Sequence, residues 1–357
     1  MLTSLAPSAV VPPSTGGAVV PSRPLRWAVQ ATCPAEWWVH LERCGGGFFH
    51  APPGLAAGAG AGETLFALLV QGEEVVGVAA GVRTKCRFAL SARHVCFPTS
   101  PALRVPERGA EALALLVAAL RAAGVAELAI DSFDARWRPA VVDADAHARD
   151  RLEFVVPLVP DAQQLSRACS THHRRHLQRG EREGWTFRRL EPPEAQALLT
   201  VVQQQAAARA AARGEAFEAA LPAAALQSGD GGAHWGATTF SAWRDGAPLA
   251  AALVGWANRR GFYLIGGSTP DGYARDAAQW LHWRIMCYLA EEGFTAYNLG
   301  GTPGSAAHPG DPAHGLYRFK AGFGSTVVPC RSVRWTLRPT HVVAHRVARW
   351  VAARVRP

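Results

Sequence analysis

The chain of 357 residues is long enough for two domains of ordinary size, and a hydrophobic content of 49% excludes an intrinsically disordered protein. Lys and Arg outnumber Asp and Glu by 37 to 28, and the resulting net charge of +9 indicates an anionic partner such as a phosphate, a nucleic acid or an acidic surface. The seven cysteines are widely spaced and form no C-x-x-C pair, which argues against a disulfide framework or a zinc site and predicts a cytoplasmic location.

The first 24 residues are rich in Pro, Ser and Gly and lack the basic start and apolar core of a signal peptide, so they predict a disordered tail. The rest of the first half is predicted as helix, meander, helix and strand. A helix begins near Pro34 and ends at Gly45–Gly47. Two apolar runs around QGEE predict a hairpin, and residues 93–97 predict a further short strand. A helix closed by Gly124 then precedes the apolar run AELAIDSF, a buried strand.

The second half begins with a predicted strand at residues 151–159 and a basic helical stretch from Gln163 to Glu183, followed by a second helix. Turns at Asp245-Gly246 and at Asn258–Gly261 predict three antiparallel strands. A helix that ends at Gly293 and the strand FTAYNLGG complete this half.

The two halves therefore share one plan, meander, helix and strand, which resembles the order of elements in the GNAT acyltransferase fold. We predict the α/β (α+β) class with two tandem GNAT-like domains, each a mixed, mainly antiparallel sheet flanked by helices. The predicted boundaries are a tail at 1–24, a first domain at 25–160, a second domain with the active site at 161–340, and a basic C-terminal helix at 341–357.

The most informative segments are YNLGG, Tyr297–Gly301, and GLYRFKAGFG, Gly315–Gly324. They resemble the FemAB-type transferases, which carry two tandem GNAT-like domains and add amino acids from aminoacyl-tRNA to peptidoglycan precursors. Weaker likeness in the first helix and the basic stretch extends the resemblance over about Cys33 to Thr336. Related BioF-like or CelD-like GNAT proteins accompany exopolysaccharide systems and are regarded as acyltransferases.

Lys320 is one of only two lysines in a chain that otherwise uses arginine. Acyl transfer passes through an oxyanion that a fixed cation stabilises, and a compact ammonium suits a small oxyanion better than a planar guanidinium. The resemblance implies this catalytic role for Lys320 and a positioning role for Phe319; the alternative is a surface charge beside a core residue. The predicted substrate-binding residues are Tyr297, Asn298, Gly300, Gly301, Tyr317, Arg175 and Arg179.

Arg175, Arg179 and Arg182 share one helical face at i, i+4 and i+7 and could hold phosphates. A solvated helix that pairs them with Glu181 and Glu183 is an equal alternative. The adjacent histidines lack spaced carboxylates and make a poor metal site.

Other segments leave their roles open. The Q/R-x-x-G-x-G/A loop with which GNAT enzymes hold the CoA pyrophosphate is missing after the predicted meander, as it is in FemAB-type domains. The loop from Thr302 to His314 is either a lid or an exposed connection. A general base is not identifiable: a substrate phosphate, Asp311 or water could take the proton.

The sequence thus predicts an acyl- or aminoacyltransferase that acts on an amine or hydroxyl of a cell-envelope or polysaccharide precursor. The alternatives are a tRNA-dependent interpeptide bridge enzyme of peptidoglycan and a non-catalytic module that binds RNA or anionic glycan. The expected donor is acyl-CoA or aminoacyl-tRNA, with no bound cofactor and no metal. A small-molecule or glycan precursor is the expected acceptor, tRNA and a membrane surface at the C-terminal helix are candidate partners, and no stable protein partner is predicted.

Overall fold

The computed structural model describes residues 23–52, 54–55, 62–85, 93–139, 146–212 and 234–340. Of the tail predicted for residues 1–24 only the last two lie within this part, and the helix predicted for residues 341–357 lies outside it.

The first half begins with a strand that the sequence did not predict, which pairs with β2, and continues in the predicted order. Its elements are β1 (Leu25–Gln30), α1 (Trp37–Cys44), β2 (Glu63–Gln71), β3 (Glu74–Lys85), β4 (Arg93–Phe97), β5 (Ala102–Leu103), α2 (Gly109–Ala122), β6 (Val125–Ile130) and β7 (Ala146–Pro157). Both helices end as predicted, because Gly45 and Gly124 adopt the left-handed conformation, with φ of 70° and 81°.

The second half repeats the order with additional helices. Its elements are α3 (Ala162–Ala168), α4 (Thr171–Arg182), β8 (Thr186–Leu190), α5 (Pro192–Ala212), β9 (Trp235–Arg244), β10 (Ala247–Ala257), β11 (Arg260–Ser268), α6 (Pro270–Ala274), α7 (Ala277–Glu291), β12 (Ala296–Pro303), α8 (His314–Ala321) and β13 (Thr326–Thr336). The hairpin turns at Asp245 and at Asn258 lie where predicted, with positive φ at both residues.

All these strands join one sheet in the described part of the chain, in the order β1-β2-β3-β4-β6-β13-β7-β12-β11-β10-β9-β8, with β5 beside β3. Neighbours are antiparallel except for two pairs, β4 with β6 and β11 with β12. Each half therefore has an antiparallel meander, a helix, and a strand parallel to the last meander strand. This repeat confirms the predicted α/β fold with two GNAT-like halves.

The halves exchange their last strands. β7 follows the first half in sequence but pairs with β12 of the second. β13 ends the second half but pairs with β6 of the first, Val333 lying opposite Ile130. β7 and β13 also pair with each other along ten residue pairs, from Thr326 opposite Val155 to Trp335 opposite Ala146. Each half completes its sheet with a strand from the other. The predicted boundaries between the two domains therefore stay a prediction.

One local prediction was wrong, and several elements were not predicted. The basic stretch from Gln163 to Glu183 is not one helix, because Cys169 is extended and Ser170 starts a new helix by accepting a hydrogen bond from the His173 N–H at 3.2 Å. Strand β8 was not predicted. Helix α8 was not predicted either, because a short helix between two glycine-rich segments has little periodicity to reveal it.

Helix α7 connects the second half's core to the candidate site. Leu281, Ile285 and Leu289 recur at helical spacing, are almost fully buried, and belong to the cluster that packs beneath β10 and β12. Helix α4 packs across α7, where Gly180 allows Trp280 to approach its backbone closely.

Candidate active site

The parallel strands β11 and β12 separate part of the way along their length. They pair only from Arg260–Phe262 opposite Ala296–Asn298, although β11 continues to Ser268 and β12 to Pro303. The pairing of β12 with β7 shifts register between Asn298 and Gly301, and Gly300 has a φ of 72°. The corresponding first-half pair stays joined to the last residues of both strands, Phe97 and Ile130. We call the gap between β11 beyond Phe262 and β12 beyond Asn298 the fork.

Lys320 reaches the fork from α8. Its side chain is buried, with the residue 5% exposed, and Nζ donates a 2.8 Å hydrogen bond to the Gly301 carbonyl oxygen. A Cβ on Gly300 would lie 3.5 Å from Nζ, an ordinary contact distance, so the φ of 72° and not a lack of space favours glycine here. Burial lowers the pKa of Lys320 to about 7, against the attraction of Glu153 and with the repulsion of Arg151. The alternative of a solvated surface lysine is therefore excluded.

A buried network of polar side chains fixes the backbone of β12 at the fork. The Asn298 side-chain amide donates to Glu153 Oε2 at 2.9 Å and to Asp134 Oδ1 at 3.0 Å, while its Oδ1 accepts from the Gly300 N–H at 2.9 Å. Burial raises the pKa of Glu153, whose residue is 1% exposed, although Arg151 donates to it at 2.8 Å and counteracts the shift. Through Asn298 this network connects Gly300 to two carboxylates, Asp134 of the first half and Glu153 of the exchanged strand β7.

Arg260 completes the link between the halves. Its guanidinium donates to Asp134 Oδ1 at 2.6 Å, and Asp134 holds a φ of 52°, a backbone conformation that is uncommon for a residue other than glycine. The attraction of Asp134 raises the pKa of Arg260 further above its ordinary value. The two halves are therefore joined by a partly buried ion pair as well as by exchanged strands.

Aromatic rings line the side of the fork that faces α7. His282 packs edge-on against Tyr263 at 4.7 Å, and its Nδ1 lies 2.9 Å from the Tyr297 hydroxyl. Phe319 and Phe323 pack against the same imidazole, with distances between ring centroids of 5.8 and 5.7 Å. Burial, followed by the charge of Lys320, lowers the pKa of His282 to about 3, so the imidazole is neutral at physiological pH.

Two clefts meet at α8. The first, which we call the basic cleft, has a volume of about 960 Å³ and lies over β7, β12 and β13. Its lining includes Gly301, Leu316, Arg149, Arg151, His147 and Arg334. The second, the aromatic cleft, has a volume of about 640 Å³ and is lined by the starts of α4 and α7 and by Tyr317 and Phe319 of α8. Lys320 lies in the helix that both clefts contact, although its own side chain lines neither of them.

The predicted site residues fall into four groups. Lys320, Gly300 and Gly301 meet at the fork, and Phe319 and Tyr317 line the aromatic cleft. Tyr297 and Asn298 are 0% and 1% exposed with committed polar groups, so their side chains support the fork and do not face a substrate.

The predicted phosphate-binding arginines line neither the basic cleft nor the aromatic cleft. Arg175 is exposed, and Arg179 donates to Glu183 at 2.7 Å, which favours the predicted alternative of a helix with acidic partners at that residue. Glu183 also accepts from Arg244 and Arg275, which leaves it as the centre of a surface ion-pair group.

The sequence interpretation missed Glu153, Asp134 and His282. A single glutamate inside the apolar run LEFVVPLV was a signal for a buried, paired carboxylate. Nothing in the sequence links Asp134 to Arg260, which lies 126 residues away. His282 is a lone histidine in an apolar helix, a pattern that does not distinguish a core residue from a site residue.

The described residues contain no group of three or more His, Cys, Asp and Glu side chains able to hold a metal. Within the same residues, no helix is long and apolar enough to cross a membrane.

Comparison with known proteins finds a family model that matches part of the chain and solved structures that share its fold. Residues 167–320 match the family model described as acetyltransferase (GNAT) domain. The fold resembles the crystal structure of FemX, with a TM-score of 0.67, 13% identity, and coverage of 89% of this chain and 100% of that one. It also resembles a conserved protein of unknown function from Bacteroides thetaiotaomicron VPI-5482, with a TM-score of 0.50, 10% identity, and coverage of 80% and 89%. Among curated protein sequences none matches the chain.

Proposed function

From the premise that residues 167–320 form a GNAT domain in a FemX-like fold, we propose that the protein transfers an acyl group from acyl-CoA to an amine or hydroxyl of a cell-envelope or polysaccharide precursor. The observation that carries the proposal is the fork, with the buried amine of Lys320 inside it. Lys320 is the proposed catalytic residue, and Phe319 is proposed to position the donor.

The fork suits an extended donor that contains amide groups. Where β11 and β12 stop pairing, their backbone groups no longer bond each other, although the Gly300 N–H bonds Asn298 and the Gly301 carbonyl accepts from Lys320. The arm of acyl-CoA carries two amides and can add to a strand edge much as a peptide does. Its thioester would then lie near Lys320.

The basic cleft suits the acceptor. It contacts the fork at Gly301 and carries Arg149, Arg151 and Arg334 in its lining. Guanidinium groups recognise phosphate and carboxylate, which precursors of envelope polymers carry. The acceptor class is therefore proposed as an anionic precursor that presents a nucleophilic amine or hydroxyl.

Aminoacyl-tRNA is the second candidate donor, because the motifs at Tyr297–Gly301 and Gly315–Gly324 resemble those of FemAB-type transferases. The exposed Arg175 and Arg182 of α4 could contact its phosphates. A cytoplasmic location and the interpeptide bridge activity stay predictions.

Thermal-shift measurements with acetyl-CoA, longer acyl-CoAs, and charged and uncharged tRNA test the donor, since a ligand that binds only the folded state raises the melting temperature. Stabilisation by an acyl-CoA supports the proposal. Stabilisation by charged tRNA alone would transfer it to the aminoacyl-tRNA reaction. Stabilisation by neither would contradict both and favour the non-catalytic binding module.

Two alanine substitutions localise the donor. Gly300→Ala and Gly293→Ala both place a side chain at positive φ, 72° and 79°, which costs about 1–2 kcal/mol in each case. The new Cβ at Gly300 meets Lys320 Nζ and the Tyr263 carbonyl oxygen at 3.5 Å, whereas the Cβ at Gly293 meets nothing within 4 Å. We expect Gly300→Ala alone to lose the acyl-CoA response. Equal responses in the two variants would place the donor elsewhere.

A further inference from the structure

We propose that Lys320 enters the reaction as a neutral amine and serves as the general base that removes the acceptor's proton. The inference rests on the proposed acyltransferase function and extends it, because the resemblance to FemAB-type enzymes implies only a cation that stabilises the oxyanion.

The first argument is the number of hydrogen-bond partners. An ammonium has three N–H donors, and within the described residues Nζ of Lys320 has one acceptor, the Gly301 carbonyl, and no carboxylate within 4.0 Å. A buried charge without paired acceptors is costly, whereas a neutral amine needs only two acceptors and keeps a lone pair. The geometry therefore favours the neutral form before substrate binds, and the lowering of the pKa of Lys320 to about 7 agrees with it.

The second argument is that the nearest carboxylate is already committed. Glu153 accepts hydrogen bonds from Asn298, from the Asp134 N–H and from Arg151. These donors occupy three of the roughly four lone-pair positions of the carboxylate, and within the described residues Glu153 makes no ion pair with the lysine. The guanidinium of Arg151 adds repulsion to any charge on Nζ.

The third argument excludes the other candidate bases. Burial makes His282 a weak base, with a pKa of about 3, and its Nδ1 is engaged by Tyr297. Asp311 accepts from the Ala313 N–H in the loop before α8, and a hydrogen bond from Ser305 lowers its pKa, so its carboxylate is committed to the turn.

Three other titratable groups around the fork, His173, Tyr263 and Tyr297, are neutral at physiological pH. Burial lowers the pKa of His173 to about 4 and raises the pKa of Tyr263 and of Tyr297. Lys320 is therefore the amine at the fork whose charge changes near neutral pH, and it lies near the guanidinium of Arg151 and near Glu153, whose pKa burial raises.

The reaction balances with Lys320 as a proton carrier. As the acceptor nitrogen or oxygen attacks the donor carbonyl carbon, its proton passes to the lone pair of Nζ, and the new C–N or C–O bond forms. The resulting ammonium lies beside the oxyanion and stabilises it. When the intermediate collapses, the C–S bond of the thioester breaks, the ammonium gives its proton to the leaving thiolate, and Lys320 returns to the neutral amine.

The protonation state can be measured without any activity. Because the chain has only two lysines, labelling with lysine that carries ¹³C at Cε gives two lysine signals, and Lys85→Arg assigns the one that belongs to Lys320. We expect the Lys320 signal to titrate near pH 7. A midpoint above pH 9 would overturn the inference and leave the proposed function intact.

The kinetic test uses acetyl-CoA as donor and hydroxylamine as acceptor, with released CoA thiol as the readout. General-base catalysis is worth about 10²–10⁴-fold, so we expect Lys320→Ala and Lys320→Arg to lose at least about 100-fold, since arginine keeps the charge but not the lone pair. Trimethylamine, which accepts a proton but cannot be acylated, is expected to restore Lys320→Ala in proportion to its neutral fraction as the pH rises.

The outcomes separate the two proposals. Near-normal activity of Lys320→Arg, or rescue that follows the protonated trimethylamine, would overturn the base role and restore the fixed-cation role. If wild type and all variants transfer no acyl group from any donor, the proposed function fails and the base role fails with it, whatever the lysine signal shows.

Discussion

Replacing Asn298 with alanine should destabilise the whole protein. The substitution removes three hydrogen bonds, two to buried carboxylates and one to the Gly300 N–H. Hydrogen bonds to charged groups contribute about 1.5–3 kcal/mol each, and breaking a buried charged group's pairing costs about 3–5 kcal/mol. We expect a loss of about 3–5 kcal/mol, a large share of the roughly 5–15 kcal/mol that stabilises a typical domain.

Urea unfolding at pH 7.5, followed by tryptophan fluorescence and by circular dichroism, measures this loss. Gln203→Ala is the matched control, because Gln203 is partly buried and makes one neutral hydrogen bond, of 2.7 Å, to the Gly266 carbonyl. Its expected cost is about 1 kcal/mol. A second variant, Asn298→Asp, keeps the acceptor for Gly300 but adds a third carboxylate, so its loss should shrink as the pH falls and the new carboxyl can donate.

The reasoning fails if Asn298→Ala costs no more than Gln203→Ala. In that case Glu153 and Asp134 would be stabilised by Arg151 and Arg260 alone, and Asn298 would have no special part in holding Gly300 and the fork.

Two further predictions concern charge and packing. Relative to Lys320→Met, the unfolding free energy of the wild type should rise by about 2–3 kcal/mol between pH 7 and pH 9. The pKa of Lys320 is about 7 in the folded protein and about 10.5 in the unfolded chain, so the unfolded chain binds more protons in this range. Parallel pH profiles of the two proteins in urea unfolding would contradict the shift. Gly180→Ala should destabilise the protein by about 1–3 kcal/mol, because the new Cβ would lie 2.3 Å from the indole of Trp280. Gly315→Ala is the control in helix α8: its Cβ meets nothing within 4 Å, so the change should be neutral or stabilising by up to about 1 kcal/mol. Equal melting temperatures for these two variants would rule out close packing of α4 on α7.

Local signals in the sequence were enough to predict most elements. The helices that end at Gly124 and Gly293 and the turns at Asp245 and Asn258 depend on backbone conformations that few residues adopt, so a short stretch of sequence specifies them. The break at Ser170 also had a signal, a serine three residues before the His173 N–H that it caps, which the charge pattern of the stretch obscured.

The strand exchange and the polar network could not be predicted in the same way. The pairing of Val333 with Ile130 joins strands about 200 residues apart, and alternating apolar residues do not specify a partner. Lys320 was singled out by its rarity, but its burial depends on β12 bending away from β11, which only the folded sheet shows.

The exchange of β7 and β13 also sets the order in which the molecule can be completed during synthesis. The strand at the centre of the sheet, β13, leaves the ribosome after every other described strand. Until then β6 and β7 each have an unpaired edge, and such edges can pair with strands of other chains and cause aggregation. The sheet of the first half is therefore incomplete until some 200 later residues have been synthesised. If the two halves were separated by cutting the chain between them, each would be a sheet with an exposed edge and not a complete domain.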